Sequence, residues 1–280
     1  MEIKKIAVIG AGTMGSGIAQ VLATAGYKTY MMDINENILS NAFVNIEKSV
    51  GKLVKKGILK DQDMENVFKN IIKTTDLNLV NDVDFVIEAI VEDVSLKMKL
   101  LKDIDRICPM ETIFGTNTSS IPITLLGSFT KRPERVIGTH FMNPVPLMKG
   151  VEIIKGRLTS EDSLKTTVNM ITKIGKVPVV VVDYAGFVTS RLLNIYINEA
   201  AYAVMDGNDP EEVDKAMVYC TNMPMGPCKL MDLVGIDVVV NVLKILEDEF
   251  GLRFKCAPIL KQMVRAGELG MKTKKGFYRY

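Results

Sequence analysis

The only histidine in this 280-residue chain, His140, is the side chain best suited to exchange a proton near neutral pH. It lies at the end of a predicted strand, 136–141, and a second predicted strand, 151–154, follows a proline-containing loop. If the two strands pair antiparallel about Pro146, His140 lies opposite Glu152, on the same face of the sheet. The carboxylate would then hold one ring nitrogen and leave the other to exchange a proton with a substrate. The alternative is a structural hydrogen bond at a strand end.

A glycine pattern near the N-terminus is the second motif with chemical meaning. Residues 10–15 fit Gly-x-Gly-x-x-Gly, and the positions concerned are Gly10, Gly12, Thr13, Met14 and Gly15. The pattern follows a predicted buried strand, 3–9, and opens a predicted helix, which is the context that makes it specific. Glycines there allow a tight turn and let backbone N–H groups approach a pyrophosphate at the positive end of the helix. The motif predicts dinucleotide binding.

An acidic residue, Asp33, closes the next predicted strand, 28–33. About 20 residues beyond such a glycine loop, a carboxylate hydrogen-bonds the ribose hydroxyls of NAD and repels the 2′-phosphate of NADP. NAD is therefore the predicted cofactor. NADP remains an alternative, since Lys28 or a loop lysine could hold the additional phosphate.

A polar segment, 115–120, ends a further predicted strand at the sheet edge where α/β proteins bind ligands. Its small hydroxyls either cap the helix that follows or face the nicotinamide and the substrate oxygen. The spacing of the residues favours neither role over the other.

Composition excludes several classes of function. With 35 Lys and Arg against 33 Asp and Glu, the net charge of +2 offers no basic footprint for nucleic acid or an anionic membrane. A single histidine and four scattered cysteines without a Cys-x-x-Cys pair predict no metal site. Apolar runs such as 177–182 are too short to span a bilayer, and no cleavable signal pattern precedes the first strand. A cytoplasmic location is expected.

Strands alternate with helices up to residue 183, which predicts an α/β fold with a Rossmann-like, mostly parallel sheet. The predicted strands are 3–9, 28–33, 71–74, 84–89, 112–117, 136–141, 151–154 and 177–182, and the principal predicted helices among them are 18–25, 36–56, 95–107 and 161–175. Only helical patterns follow, at 187–205, 210–220, 234–250 and 258–266. We therefore place an NAD-binding domain at 1–184 and an all-helical C-terminal domain at 185–280. The helix that opens the second domain has apolar residues on several faces, which predicts a homodimer.

Taken together, these motifs resemble those of the short-chain L-3-hydroxyacyl-CoA dehydrogenases, of the 3-hydroxybutyryl-CoA dehydrogenase type. The resemblance covers essentially the whole chain, and its landmarks are the segments 8–15, 88–92, 116–120, 140–146, 225–227 and 272–278. It implies a Rossmann-like domain followed by a helical domain that dimerises and contributes to substrate binding. It also implies reversible, NAD-linked conversion of an L-3-hydroxyacyl-CoA to the 3-oxoacyl-CoA, with a short acyl chain.

The resemblance implies a role for each matching residue. His140 would be the acid/base, Glu152 its carboxylate partner, and Ser119 the hydroxyl that binds the substrate oxygen beside the nicotinamide. Asp33 would be joined around NAD by Glu92, Lys97, Asn143 and Lys272. Ser49 and Lys56 match positions that contact CoA. The neighbouring lysines of this predicted helix, Lys48, Lys52 and Lys55, are equally typical of a solvated face.

One position departs from the family pattern. Where the family has Pro-Gly-Phe-Val-x-Asn-Arg, this chain has Ala-Gly-Phe-Val-Thr-Ser-Arg at 185–191, so Ser190 replaces an asparagine that helps to orient the substrate. Serine keeps a hydroxyl but is shorter and lacks the two donors of the amide. Asn194, one helical turn further, is a hypothetical substitute. The change bears on turnover and substrate choice more than on cofactor binding.

Two other functions remain open from the sequence. The first is a dehydrogenase of a sugar acid or another 3-hydroxy acid without CoA, for which Ser190 leaves room. The second is a dinucleotide-binding protein with little catalysis, in which His140, Glu152 and Ser119 would have no task.

Overall fold

In the computed structural model, which describes residues 2–280, the N-terminal part of the chain forms one sheet of eight strands. In chain order they are β1 Lys5–Ile9, β2 Lys28–Met32, β3 Ile71–Thr74, β4 Phe85–Glu88, β5 Ile113–Thr116, β6 Val136–Phe141, β7 Gly150–Lys155 and β8 Val177–Val182. Their order across the sheet is β3-β2-β1-β4-β5-β6-β7-β8. The strands from β3 to β6 are parallel, β7 is antiparallel to β6, and β8 is parallel to β7.

The helices of this unit are α1 Thr13–Thr24, α2 Glu36–Lys55, α3 Asp61–Asn70, α4 Val94–Ile107, α5 Ile123–Gly127 and α6 Glu161–Lys173. Polar side chains set two of the helix starts. Asn35 accepts a hydrogen bond from the backbone of Asn37 before α2, and Asp93 accepts one from Leu96 before α4. The central strands are apolar almost throughout because helices cover both faces of a parallel sheet. The predicted α/β class with a mostly parallel sheet is confirmed.

The predicted strands agree with the structure to within two residues at each end. The helix prediction was less complete, because α3 was missed and the helix expected after residues 115–120, α5, was given no bounds. In α3 only Val67 is buried, so an apolar period is lacking, and α5 is five residues long. The start of α1 was placed too late, since its first turn begins at Thr13, inside the glycine motif, where no apolar period marks the helix.

The chain divides by its internal contacts into two compact units, Met1–Asp183 and Tyr184–Tyr280. The second unit consists of α7 Thr189–Met205, α8 Pro210–Lys215, a π-helical turn at Ala216–Cys220, α9 Pro227–Val234, α10 Ile236–Phe250 and α11 Pro258–Arg265, with short turns of 3₁₀-helix. Its apolar core includes Ile197, Met231, Leu243 and Leu260.

The helix predicted at 234–250 is confirmed to within two residues as α10, Ile236–Phe250. Gly235 adopts a φ of +102°, which is a conformation that favours glycine, and it separates α9 from α10. The preceding helix α9, eight residues long, was not predicted from the sequence. Among the helices of residues 2–280, none combines the length and apolar character needed to cross a bilayer.

Candidate active site

The paired strands β6 and β7 bring the histidine and its predicted carboxylate together. In the antiparallel register His140 lies opposite Glu152, as the symmetry about Pro146 predicted. Nδ1 of His140 lies 2.9 Å from Oε2 of Glu152, and the two residues are only 6% and 3% exposed. Since a carboxylate accepts hydrogen bonds, this contact places the ring hydrogen on Nδ1 and leaves the lone pair on Nε2. In this tautomer Nε2 is the ring nitrogen that can accept a proton from a substrate.

A serine hydroxyl lies at that second ring nitrogen. Ser119 Oγ is 3.0 Å from Nε2 of His140, so the polar segment after β5 contacts the histidine directly. The turn-forming role falls to its neighbour Thr118, whose hydroxyl oxygen accepts backbone N–H groups from Ser120 and Ile121. None of these hydroxyls caps the helix that follows, because the first backbone N–H groups of α5, on Ile123 and Thr124, donate to Asp183 instead. The contact of Ser119 with a substrate oxygen stays a prediction.

The carboxylate of Glu92 organises the same turn. Its Oε1 accepts the Thr118 hydroxyl at 2.5 Å, the Ser120 hydroxyl at 2.8 Å, and the backbone N–H groups of Ser119 and Ser120 at 3.1 Å. Its Oε2 lies 3.3 Å from the ammonium of Lys97. Burial by itself would raise the pKa of Glu92, but Lys97 and the hydroxyl donors outweigh it, and the pKa is lowered. Glu92 is therefore held as a carboxylate.

A residue to which sequence reasoning gave no role, Glu88, completes this group. Its Oε1 accepts from Lys97 Nζ at 2.6 Å and from the backbone of Ile90 at 2.8 Å, while its Oε2 accepts the hydroxyl of Thr116 at 2.6 Å. The side chains of Glu88 and Lys97 are each 1% exposed. An acidic residue at the end of the otherwise apolar strand β4 was the available signal, because a buried carboxylate requires a partner.

The glycine loop lies where the strand order reverses, between the neighbouring strands β1 and β4. Gly10 has a φ of +100°, and a Cβ there would meet the carbonyl oxygen of Ala89 at 2.5 Å. A Cβ on Gly15 would meet the carbonyl oxygen of Gly10 at 1.7 Å, whereas one on Gly12 would meet nothing within 4 Å. The first and last glycines therefore permit the turn, and the middle one leaves the backbone open to approach.

Asp33 follows β2 and is tied to this loop. One carboxylate oxygen, Oδ2, accepts the backbone N–H of Ala11 at 2.8 Å. The cap residue of α1, Gly12, has no side chain with which to occupy the first N–H groups of the helix, and Thr13 beside it is exposed. An open helix N-terminus with an acid at the end of the adjacent strand fits a dinucleotide pyrophosphate and its ribose. The residues present therefore fit the predicted cofactor.

The loop after β6 is anchored at both ends. Asn117 Oδ1 accepts the backbone N–H of Phe141 at 2.9 Å, next to His140. Lys176, which is 9% exposed, donates from Nζ to the carbonyl oxygens of Val145 and Met148 at 2.6 Å each. Burial lowers the pKa of Lys176. Sequence reasoning missed both anchors, since their acceptors and donors belong to the backbone of other segments.

The remaining site predictions of the first unit lie on accessible surface. Asn143, in the loop between β6 and β7, is exposed and precedes a cis proline, Pro144. Ser49 is half-buried in α2, and Lys56, directly after that helix, is exposed. Lys48, Lys52 and Lys55 are exposed as well, so α2 has a lysine-rich outer face. Contacts of these residues with NAD or CoA stay predictions.

Two predicted site residues belong to the second unit. Ser190 is in the first turn of α7, and its backbone carbonyl accepts the amide nitrogen of Asn194 at 2.8 Å. That amide nitrogen is thus engaged within its own helix, which does not support Asn194 as a substitute for the asparagine of the family. Lys272 pairs with Asp237, 2.6 Å from Nζ to Oδ2. The roles predicted for Ser190 and Lys272 are not tested by these contacts.

Both units match models of one protein family. Residues 5–184 match the model of the 3-hydroxyacyl-CoA dehydrogenase NAD binding domain, and residues 186–280 match that of the 3-hydroxyacyl-CoA dehydrogenase C-terminal domain. A 3-hydroxybutyryl-CoA dehydrogenase of Clostridioides difficile is 44% identical over 99% of both chains. A probable 3-hydroxybutyryl-CoA dehydrogenase of Bacillus subtilis is 42% identical over 100% of this chain and 98% of its own.

A solved structure shows the same similarity. The (S)-3-hydroxybutyryl-CoA dehydrogenase of Ralstonia eutropha superimposes with a TM-score of 0.96 at 38% sequence identity. The match covers 100% of this chain and 99% of the other. Sequence similarity and similarity of fold therefore both lead to proteins named 3-hydroxybutyryl-CoA dehydrogenase.

Proposed function

Because the chain belongs to the 3-hydroxyacyl-CoA dehydrogenase family, we propose that it interconverts L-3-hydroxyacyl-CoA and 3-oxoacyl-CoA thioesters with NAD. The short-chain pair named for its relatives, 3-hydroxybutyryl-CoA and acetoacetyl-CoA, is the proposed substrate pair. The observation that carries the proposal is the line of contacts from Ser119 Oγ through the imidazole of His140 to Glu152, with distances of 3.0 and 2.9 Å. Ser119 follows the carboxyl end of β5, and folds of this type bind dinucleotides at the carboxyl ends of the strands.

In the oxidative direction, Nε2 of His140 accepts the proton of the substrate hydroxyl. The bound NAD supplies the acceptor for the hydride that leaves the same carbon. Glu152, held at Nδ1, stabilises the imidazolium that forms, and Ser119 donates its hydroxyl hydrogen to the substrate oxygen. In reduction the imidazolium returns the proton to that oxygen. The residues thus handle one proton and orient one oxygen, and much of the rate enhancement comes from this alignment.

An initial-rate assay with acetoacetyl-CoA and NADH tests the proposal. We expect loss of NADH absorbance with acetoacetyl-CoA and a kcat/KM for free acetoacetate that is lower by about 100-fold or more, since binding energy from the remote CoA group is used at the reacting centre. Faster turnover of the free acid would support the alternative of a dehydrogenase that does not use CoA. Binding of NADH without oxidation would support the alternative of a protein with little catalysis.

Cofactor choice is expected to depend on Asp33. Replacing it with serine removes the charge that would face a 2′-phosphate, so the ratio of kcat/KM for NADPH over NADH should rise by about 10-fold or more. Glu36→Gln is the matched control, because it removes one negative charge from an exposed residue of the adjoining α2. An unchanged ratio in Asp33→Ser, or an equal rise in the control, would contradict the role of Asp33.

The second unit is proposed to form a homodimer. Large apolar side chains of this unit are exposed, among them Leu192 at 62%, Leu252 at 78% and Tyr219 at 82%. Such surfaces in a folded protein are typical of contacts with another chain. Light scattering measures the mass of the protein in solution, and twice the mass of one chain is expected.

We also propose a cytoplasmic location.

A further inference from the structure

Three charged residues outside the Ser119–His140–Glu152 line bear on the position of Ser119. Glu88, Lys97 and Glu92, which we call the carboxylate clamp, join the end of β4, the helix α4 and the turn after β5. Glu88 and Lys97 are fully buried, whereas Glu92 is partly exposed. In such surroundings an ion pair is strong only when its remaining donors and acceptors are also satisfied.

The two oxygens of Glu92 have separate tasks. All four hydrogen bonds from the turn, at 2.5 to 3.1 Å, reach Oε1. Oε2 faces the ammonium of Lys97 at 3.3 Å. An amide cannot perform both tasks, because its nitrogen does not accept a hydrogen bond and is repelled by an ammonium group. The position of the turn therefore depends on a charged carboxylate at residue 92.

Lys97 is fixed in turn from the opposite side. Its ammonium donates to Glu88 Oε1 at 2.6 Å, and the other oxygen of Glu88 accepts the hydroxyl of Thr116 at the end of β5. Thr116 precedes the turn by two residues and is 1% exposed. The clamp thus holds the chain before the turn, at Thr116 through Glu88, and the turn itself, at Thr118 to Ser120 through Glu92.

We infer that the carboxylate clamp is a positioning device that sets Ser119 Oγ against Nε2 of His140, and that Glu88, Lys97 and Glu92 act on turnover through Ser119. The inference rests on the proposed function. It assigns a role to Glu88 and adds one for Glu92 and Lys97 beyond contact with the cofactor. A displacement of about 1 Å at a reacting group can lower a rate by about 100-fold. Loss of the one carboxylate that holds the turn should therefore lower kcat by displacing Ser119.

A double-mutant cycle of Glu92→Gln and Ser119→Ala tests whether the two residues act through one another. Each single substitution should lower kcat for acetoacetyl-CoA by about 10- to 100-fold. The double variant should then be no more than about 3-fold slower than Ser119→Ala alone, since residues that share one interaction are not additive. Reductions that multiply, or a Ser119→Ala enzyme with normal kcat, would overturn the inference.

NADH affinity separates this role from direct contact with the cofactor. Fluorescence titration measures the Kd for NADH in Glu92→Gln, so that kcat can be compared at saturating NADH. The loss of kcat should remain there, because the clamp acts on the turn in addition to any contact with the nucleotide. A kcat within about 3-fold of wild type at saturating NADH would place the effect of Glu92 on cofactor binding alone and overturn the inference.

Milder variants cover the case in which Glu92→Gln fails to fold. Ser120→Ala removes one of the four hydrogen bonds to Oε1 and should lower kcat by about 3- to 10-fold, with no further loss when Ser119→Ala is present. Lys97→Met should lower kcat, and Lys99→Met, on the exposed face of the same helix, should not. Equal effects of the two lysine variants, or multiplied losses for Ser120→Ala, would overturn the inference.

Wild-type turnover distinguishes the two proposals. An absence of turnover with acetoacetyl-CoA would overturn the proposed function and, with it, the inference. An active wild type whose clamp variants lose activity independently of Ser119 would overturn the inference alone. Thermal unfolding of every variant separates loss of activity from loss of the fold.

Discussion

His140→Gln is expected to lower kcat for acetoacetyl-CoA reduction by about 1,000-fold, a loss within the range known for general acid–base catalysis. The amide can donate to Glu152, as Nδ1 does, so the hydrogen bond between β6 and β7 is retained. It cannot give a proton to the substrate oxygen or take one from it. Steady-state rates with saturating NADH and acetoacetyl-CoA measure the effect.

The cofactor site is the internal control for this variant. The glycine loop and Asp33 are held by their own backbone contacts, so the Kd for NADH should stay within about 3-fold of wild type. The melting temperature should also stay near that of wild type. If His140→Gln kept a kcat within a few-fold of wild type, His140 would not be the acid/base and the mechanism proposed above would fail.

The second large effect is expected for Glu152→Gln, which should lower kcat by about 100- to 1,000-fold. The neutral amide no longer stabilises the imidazolium. Its NH2 group can also donate to Nδ1, which would move the ring hydrogen to Nε2 of His140 and remove the proton acceptor. Because both side chains are buried, water does not readily replace the carboxylate.

Glu161→Gln is a suitable control for this substitution. Glu161 also pairs with a basic side chain, Lys155 of β7, but on the surface, where an ion pair contributes little. Its kcat should be that of wild type. In the double variant His140→Gln/Glu152→Gln, kcat should fall little below that of His140→Gln. A further 100-fold loss would show that Glu152 acts independently of the histidine.

Much of the fold could be predicted because the signals are local. The two strands around Pro146 show their register by symmetry, and the opposition of His140 and Glu152 follows from it. The glycine loop is specific once a strand precedes it and a helix follows it. The helices α3 and α9 were missed by contrast, since α3 is mostly polar and α9 is only eight residues long. In both cases tertiary packing stabilises a helix that the apolar period of the sequence does not indicate.

The sequence by itself determined the sheet-forming segments, the dinucleotide loop and the pairing of His140 with Glu152, because each depends on residues close together in the chain. Only the tertiary structure decided that Ser119 lies at Nε2 of His140 and that Glu88, Lys97 and Glu92 hold the turn. Those contacts join the ends of different strands, and the order of strands in the sheet sets which ends become neighbours. The order of the strands therefore determines which polar group pairs with a buried charge. A buried charge without a partner raises the free energy of the folded state, and any polar group within reach can pair with it.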